Sequence, residues 1–354
     1  MHPKGGSSLG LQKTRGSLGM TGSPLEKGSS IQPPNYGFHD RLSADFPSQI
    51  IVDATEVCNL ACIHCPHPTF KQSSHYAARY QDAELNAKLV AEVRDYGKGH
   101  VQYIRYTGEG EPLIHPRIFE MLTLAKRNSG VMVSLTTNGM LLNERRLAAL
   151  LETGVDVVDI SIDAFSAETY AKIRVNGDLA VTRTNVERLL AATRGHLAHT
   201  KVVVSYVEQP FNRHETADFE RYWRDQGADF VVVRPLHSAA GAVSAIAAEI
   251  QLIDAGAPRR PCLYPWERIT LNPRGELIFC PQDWTHSSVV ADYRHTTIRE
   301  TWQGEFYRRL RQAHLTNDYS CHGFCGGCPD WKHTRWPGHG RSYANMIEEF
   351  KAKE

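Results

Sequence analysis

From Gln49 onward, short runs of branched and aromatic residues alternate with amphipathic stretches. Ile50–Val52, Tyr103–Tyr106, Val131–Leu135, Val157–Ile162, Val202–Val207 and Phe230–Val233 each read as a strand, being short, apolar and rich in β-branched residues. The segments between them carry helical spacing. A helix is expected over about 82–96. Another follows Pro116, a residue suited to a helix start, with Ile118, Met121, Leu122 and Ala125 as its apolar face. Leu147, Leu150 and Leu151 mark a third, and residues 167–174, 181–194 and 215–226 three more. Strands alternating with helices imply βαβ units and a parallel sheet, and right-handed crossovers curl six such units one way. The expected fold is α/β, a partial (β/α)6 TIM-like barrel over residues 48–255, with a doubly wound open sheet as the alternative. Chemistry in such barrels sits at the C-terminal ends of the strands.

The periodicity changes after residue 255. Arg268–Leu271 and Glu276–Phe279 flank Asn272-Pro273-Arg274-Gly275, a hairpin pattern. A helical stretch follows from Thr297 to Ala313. Residues 256–335 are therefore expected to form a small second domain, and 336–354 a tail. Residues 1–47 are rich in Gly, Ser and Pro and poor in large apolar side chains, a composition that reads as disordered.

Composition narrows the function classes. The 354 residues carry 40 Lys+Arg against 39 Asp+Glu, so no charge excess points to nucleic acid or an anionic membrane. No apolar run approaches the ~20 residues a membrane span needs. The N-terminus lacks the apolar core of a secretory signal. A cytoplasmic location is expected, and the eight cysteines then read as thiols rather than disulfides.

Three of those thiols follow the first strand. Cys58, Cys62 and Cys65 stand as C-x3-C-x2-C. Three thiolates at this spacing can hold three corners of a cubane iron–sulfur cluster, leaving one iron open. Zinc is the competing reading, with His64 or His67 as a fourth ligand. After the second strand comes Thr107-Gly108-Glu109-Gly110-Glu111-Pro112, in which two glycines allow close approach of a ligand to the backbone. Thr136-Thr137-Asn138-Gly139 follows the third strand and Ser161-Ile162-Asp163 ends the fourth, with Ser161 and Asp163 on one face. Asn-Gly is also a turn signal, and Asp163 or Ser166 could instead cap a helix. Arg105, Arg174, Arg234 and His237 near strand ends are further candidates for substrate binding. The other five cysteines are Cys262, Cys280, Cys321, Cys325 and Cys328.

The cysteine triad followed by G-x-G-E-P resembles the radical S-adenosylmethionine (radical SAM) enzymes, over roughly residues 48–335. The resemblance implies that the open iron binds SAM, that an electron from the cluster cleaves it, and that the resulting 5′-deoxyadenosyl radical takes a substrate hydrogen. It implies SAM contacts at Gly108, Gly110, Glu111, Asn138, Ser161 and Asp163, with Glu111 on the methionyl amine. The C-terminal cysteines resemble a twitch domain, a shortened SPASM domain. That implies an auxiliary [4Fe–4S] cluster on Cys262, Cys280, Cys325 and Cys328, with Cys321 spare or in place of Cys325. Four-thiolate zinc is the alternative there. By the same resemblance the substrate is a small polar molecule, a sugar or aminocyclitol that is oxidised, dehydrated or epimerised, and the electron donor is a flavodoxin or ferredoxin. The rivals are a radical SAM enzyme that modifies ribosomal peptides, and a zinc protein without radical chemistry.

Overall fold

Alternation along the strands decides which side of the sheet each residue serves. The computed structural model describes residues 44–194, 199–253 and 259–334. These residues belong to the compact unit that begins at Gly37; a separate unit over Met1–Tyr36 lies outside the described residues. Most of the N-terminal segment expected to be disordered therefore also lies outside them, as does the expected tail.

Six strands alternate with helices: β1 (Gln49–Asp53), β2 (Tyr103–Thr107), β3 (Met132–Thr137), β4 (Val157–Ser161), β5 (Lys201–Glu208) and β6 (Phe230–Pro235). Each pairs in parallel with its sequence neighbour. One parity of positions, including Ile50, Val52, Ile104, Tyr106, Val133, Leu135, Val158, Ile160, Val202 and Val204, is buried in the main core. Leu89, Val93, Met121, Leu122, Leu150, Val186 and Leu189 of the intervening helices share that core. Positions of the opposite parity, Gln49, Ile51 and Asp53 on β1, Arg105 and Thr107 on β2, and Val232 and Arg234 on β6, line a cavity instead. A two-residue period thus gives one sheet an apolar outer face and a polar inner one. A small cluster of Val157, Val203 and Phe230, with Met132 and Val232 packed on it, lies nearer the N-terminal strand ends. The architecture is the partial (β/α)6 barrel.

The helices fall close to expectation: Ala83–Tyr96, Ile118–Asn128, Glu144–Glu152, Ala167–Ile173, Leu179–Thr193 and Thr216–Asp225. Asp82, Asn143, Ser166 and Asp178 cap four of them through side-chain oxygens. Pro116 precedes the second helix by two residues, and Arg117 is its N-cap.

The hairpin forms as β7 (Arg268–Leu271) and β8 (Glu276–Ile278), but it is no detached module. β7 pairs in parallel with β1, from Gln49 opposite Arg268 to Val52 opposite Leu271. β8 and a further strand, β9 (Val289–Asp292), continue the sheet antiparallel. The result is one nine-stranded sheet in the order β6-β5-β4-β3-β2-β1-β7-β8-β9. The helical stretch expected over 297–313 is two helices, Ile298–Gln303 and Glu305–Thr316, broken at Gly304. No helix among the described residues is long and apolar enough to cross a membrane.

Candidate active site

The parallel strands deliver four loops to one rim. Backbone ties hold the loop after β1 in place: Ala61 and Ile63 donate to Val175 and Ile173 carbonyls at 2.9 and 3.0 Å, and Glu111 N donates to Val57 O at 2.9 Å. The Glu56 carboxylate receives Ala77 N, Arg79 N and the Arg79 guanidinium at 2.8, 3.1 and 2.8 Å, closing the loop on its far side. Gly110 crosses so near that a Cβ there would lie 2.3 Å from Thr55 O and 2.4 Å from Val57 O. The G-x-G spacing is thus a packing requirement of the cysteine loop as well as a ligand-approach signal.

A cavity of about 530 Å³ opens inside this rim. Cys58, Cys62 and Cys65 line it, and so do Cys262, Cys280, Cys325 and Cys328. Cys321 does not: it is exposed, with Arg309 Nη2 3.3 Å from its sulfur. Two electrostatic groups emerge among the thiols. Cys65 feels Cys62 and Cys58, while Cys280 feels Cys262, Cys328 and Cys325. Burial pushes Cys58, Cys65 and Cys262 up to about 12 and Cys328 to about 11, and raises Cys62, Cys280 and Cys325 too. Buried thiolates need a compensating positive charge, which ligated iron supplies. Among the described residues no three His, Cys, Asp or Glu side chains converge as one metal ion requires. Three thiols in one group and four in the other are the donor sets that cubane iron–sulfur clusters take.

The histidines that could complete a zinc site are engaged elsewhere. His67 Nε2 lies 2.8 Å from Glu56 O. His64 Nε2 lies 3.6 Å from Asp163, with Nδ1 3.4 Å from Gln209. Burial lowers His64 to about 4, so it is neutral at physiological pH.

The motif residues surround the triad in two ways. Gly108, Gly110, Glu111, Asn138 and Ser161 line the cavity. Both oxygens of the Glu111 carboxylate hold protein donors: Oε1 accepts from Leu113 N at 3.1 Å and Thr137 Oγ1 at 2.6 Å, and Oε2 from Asn138 N at 2.8 Å. Burial raises its pKa despite those donors. Asn138 Nδ2 in turn donates to Asn59 Oδ1 at 2.8 Å, joining the third loop to the cysteine loop. Asp163 is not on the cavity wall. It takes a left-handed conformation (φ 65°), pairs with Arg174 at 2.5 Å and accepts from Val207 N at 2.7 Å. Arg174 Nη1 reaches Cys62 Sγ at 3.5 Å. Ser166, the other capping candidate, is the N-cap of Ala167–Ile173.

Arg105 and Arg234 line the cavity and converge on Asp159 Oδ2 at 3.2 and 2.9 Å. Ser205 Oγ accepts from Arg234 at 2.7 Å and donates to Asp159. Sequence reasoning passed over Asp159, Asp53 and Glu109. The signal for the first two was an acid at an inward position of an otherwise apolar strand.

The radical SAM superfamily model matches residues 52–218, and an iron–sulfur cluster-binding domain model, SPASM, matches 262–329. Among curated relatives, GTP 3′,8-cyclase of Chlorobaculum tepidum is 36% identical over 141 residues, 40% of this chain and 40% of that protein. GTP 3′,8-cyclase of Lactiplantibacillus plantarum is 28% identical over 205 residues, 57% of each. The chain thus spans only about half the length of these relatives. Among solved structures, BtrN in complex with AdoMet and 2-DOIA superposes with a TM-score of 0.53 at 17% identity, over 80% of this chain and 92% of that one. AdoMet-bound anSMEcpe gives 0.55 at 15% over 86% and 96%. Streptococcus suis SuiB bound to the precursor peptide SuiA gives 0.60 at 11% over 86% and 73%. At such identities the likeness is one of fold. Together the barrel, its cysteine-lined cavity and the two models give this chain a radical SAM domain over residues 52–218 and an iron–sulfur cluster-binding SPASM domain over 262–329, domains that imply SAM, a SAM-binding [4Fe–4S] cluster and auxiliary iron–sulfur chemistry.

Proposed function

We propose that this enzyme oxidises an alcohol carbon of a small polar molecule such as a sugar or aminocyclitol. Cys58, Cys62 and Cys65 hold the SAM-binding cluster, and Cys262, Cys280, Cys325 and Cys328 the auxiliary one. Bound there, SAM and its cluster supply a carbon radical that takes a substrate hydrogen atom, and the auxiliary cluster accepts the remaining electron. Gly108, Gly110, Asn138 and Ser161 border SAM. Glu111 borders it too and fixes Thr137 and Asn138, while Asp163 acts behind that wall by holding Arg174 beside Cys62. The reductant is a flavodoxin- or ferredoxin-type protein.

The observation that carries this reading is that both cysteine groups line one cavity. Its volume lies within the ~300–1,000 Å³ of small-molecule sites. The curated relatives named for a GTP cyclisation raise a nucleotide as the rival substrate. The wall arginines are held by protein acceptors, which favours a neutral polyol over a triphosphate. Asp159 offsets one of the two charges of Arg105 and Arg234, Asp163 that of Arg174 and Glu267 that of Arg268, and Arg259 donates to the Cys325 and Gly326 carbonyls. The test is anaerobic turnover of the reduced enzyme with SAM and panels of deuterated polyols, GTP and peptides. Deuterium transfer from a polyol carbon into 5′-deoxyadenosine, with a carbonyl product, supports the proposal. Transfer from GTP or a peptide alone rejects it.

A further inference from the structure

The cavity wall also carries two carboxyl groups that no cofactor contact accounts for. Asp53 ends β1 on its inward parity and is 3% exposed. Glu109 stands in the turn after β2, and both line the cavity. Asp53 Oδ1 accepts from Glu109 N at 3.1 Å. Gly108 permits this approach, since with φ 134° a Cβ there would lie 2.0 Å from Asp53 Oδ1. The Glu109 side chain is 9% exposed, and among the described residues its Oε2 has no hydrogen-bond partner. A buried carboxylate oxygen without a donor is costly, and a bound hydroxyl would remove that cost.

Behind Glu109 lies His286. Its backbone is left-handed (φ 56°), uncommon outside glycine and often found at functional sites. Its ring stacks on Phe70 and His75, with centroids 5.6 and 5.4 Å away. Arg274 Nη1 lies 2.7 Å from His286 Nδ1. A guanidinium can only donate, so Nδ1 is the acceptor and the ring proton sits on Nε2. That nitrogen lies 3.4 Å from Glu109 Oε1, just beyond a formed hydrogen bond. The arrangement steadies one oxygen of Glu109 and leaves the other for the cavity.

We propose that Glu109 is the catalytic proton acceptor of the oxidation, with Asp53 and His286 as positioning residues; this rests on the alcohol-oxidation reading above. The substrate C–H hydrogen leaves as an atom to the SAM-derived carbon. The hydroxyl O–H bond breaks with its proton going to Glu109, and the last electron passes to the auxiliary [4Fe–4S] cluster as the C=O bond forms. Electrostatics agree with this division of labour. Burial and the charge of Glu109 raise Asp53 well above its usual value. Burial also raises Glu109, but His286 opposes it. Asp53 is thus the member pushed further toward its protonated form, which leaves Glu109 as the proton acceptor of the pair.

Two measurements test the assignment. In the cofactor-free protein at neutral pH, infrared difference spectra should show that Glu109→Gln removes a carboxylate band and Asp53→Asn a protonated-carboxyl band. Loss of a protonated-carboxyl band in Glu109→Gln overturns the proposal. In the loaded enzyme, product formed per 5′-deoxyadenosine should fall ~100-fold in Glu109→Gln, the scale of lost general-base catalysis. A ratio equal to that of the wild type overturns the proposal. Wild-type enzyme that oxidises no alcohol defeats the substrate reading itself, a separate and recognisable result.

Discussion

Gly110→Ala probes how the second strand's loop supports the cysteine loop. The added methyl would lie 2.3 Å from Thr55 O, 2.4 Å from Val57 O and 2.8 Å from Val57 N, where ordinary contact begins at 3.4 Å. Every obstructing atom is backbone, so no side chain can rotate away. Relief needs a shift of about 1 Å in a close-packed region. Overpacking of this kind costs ~1–3 kcal/mol, and the shift strains the Glu111 N to Val57 O hydrogen bond, worth ~0.5–1.5 kcal/mol. The expected loss is on the order of 2–4 kcal/mol, centred one residue from Cys58. Two assays read it: the denaturant midpoint of the cofactor-free protein, and iron bound after anaerobic reconstitution. Iron should fall from about eight to about four per chain, one cubane of two. Gly323→Ala, with nothing within 4 Å of the added methyl, should change stability by less than ~0.5 kcal/mol. Gly110→Ala protein with the wild-type midpoint and full iron would refute the packing argument.

Asp159→Asn should destabilise the fold by ~3 kcal/mol in denaturant unfolding, because it leaves Arg105 and Arg234 facing a neutral group inside the barrel. Burial alone would raise Asp159, but Arg234, Arg105 and Ser205 outweigh it and hold the carboxyl below 3.8. That contribution is present above the unfolded value near 4 and is lost as pH falls through the lower folded value. The wild-type melting temperature should therefore drop below about pH 4, more steeply than that of Asp159→Asn; equal slopes would contradict the assignment. Cys321→Ser should keep both clusters, while Cys325→Ser should lose the auxiliary one and about four irons. Iron loss in Cys321→Ser would exchange the two ligands.

The barrel strands and their helices were legible because each strand buries one parity and each helix one stripe. The parallel joining of β7 to β1 was not, because it pairs residues more than 200 positions apart and no local pattern records that register. β9 was missed because its four half-buried residues carry too weak an alternation. At the site, cysteine spacing and G-x-G-E-P pointed to residues that line one cavity. Spacing could not say that Glu111 and Asp163 direct their carboxylates to protein donors. Nor could it say that Asp53 and Glu109 meet on the cavity wall, since each stands in a different βα unit.

The central claim is that the Cys58–Cys62–Cys65 cluster keeps one iron for SAM. Reduced Cys280→Ala protein isolates that cluster, and its electron paramagnetic resonance can be recorded with and without SAM carrying a ¹⁵N-labelled amino group. A changed spectrum with hyperfine coupling to the labelled nitrogen is the expected result. Identical spectra, with no coupling to SAM, would contradict the account.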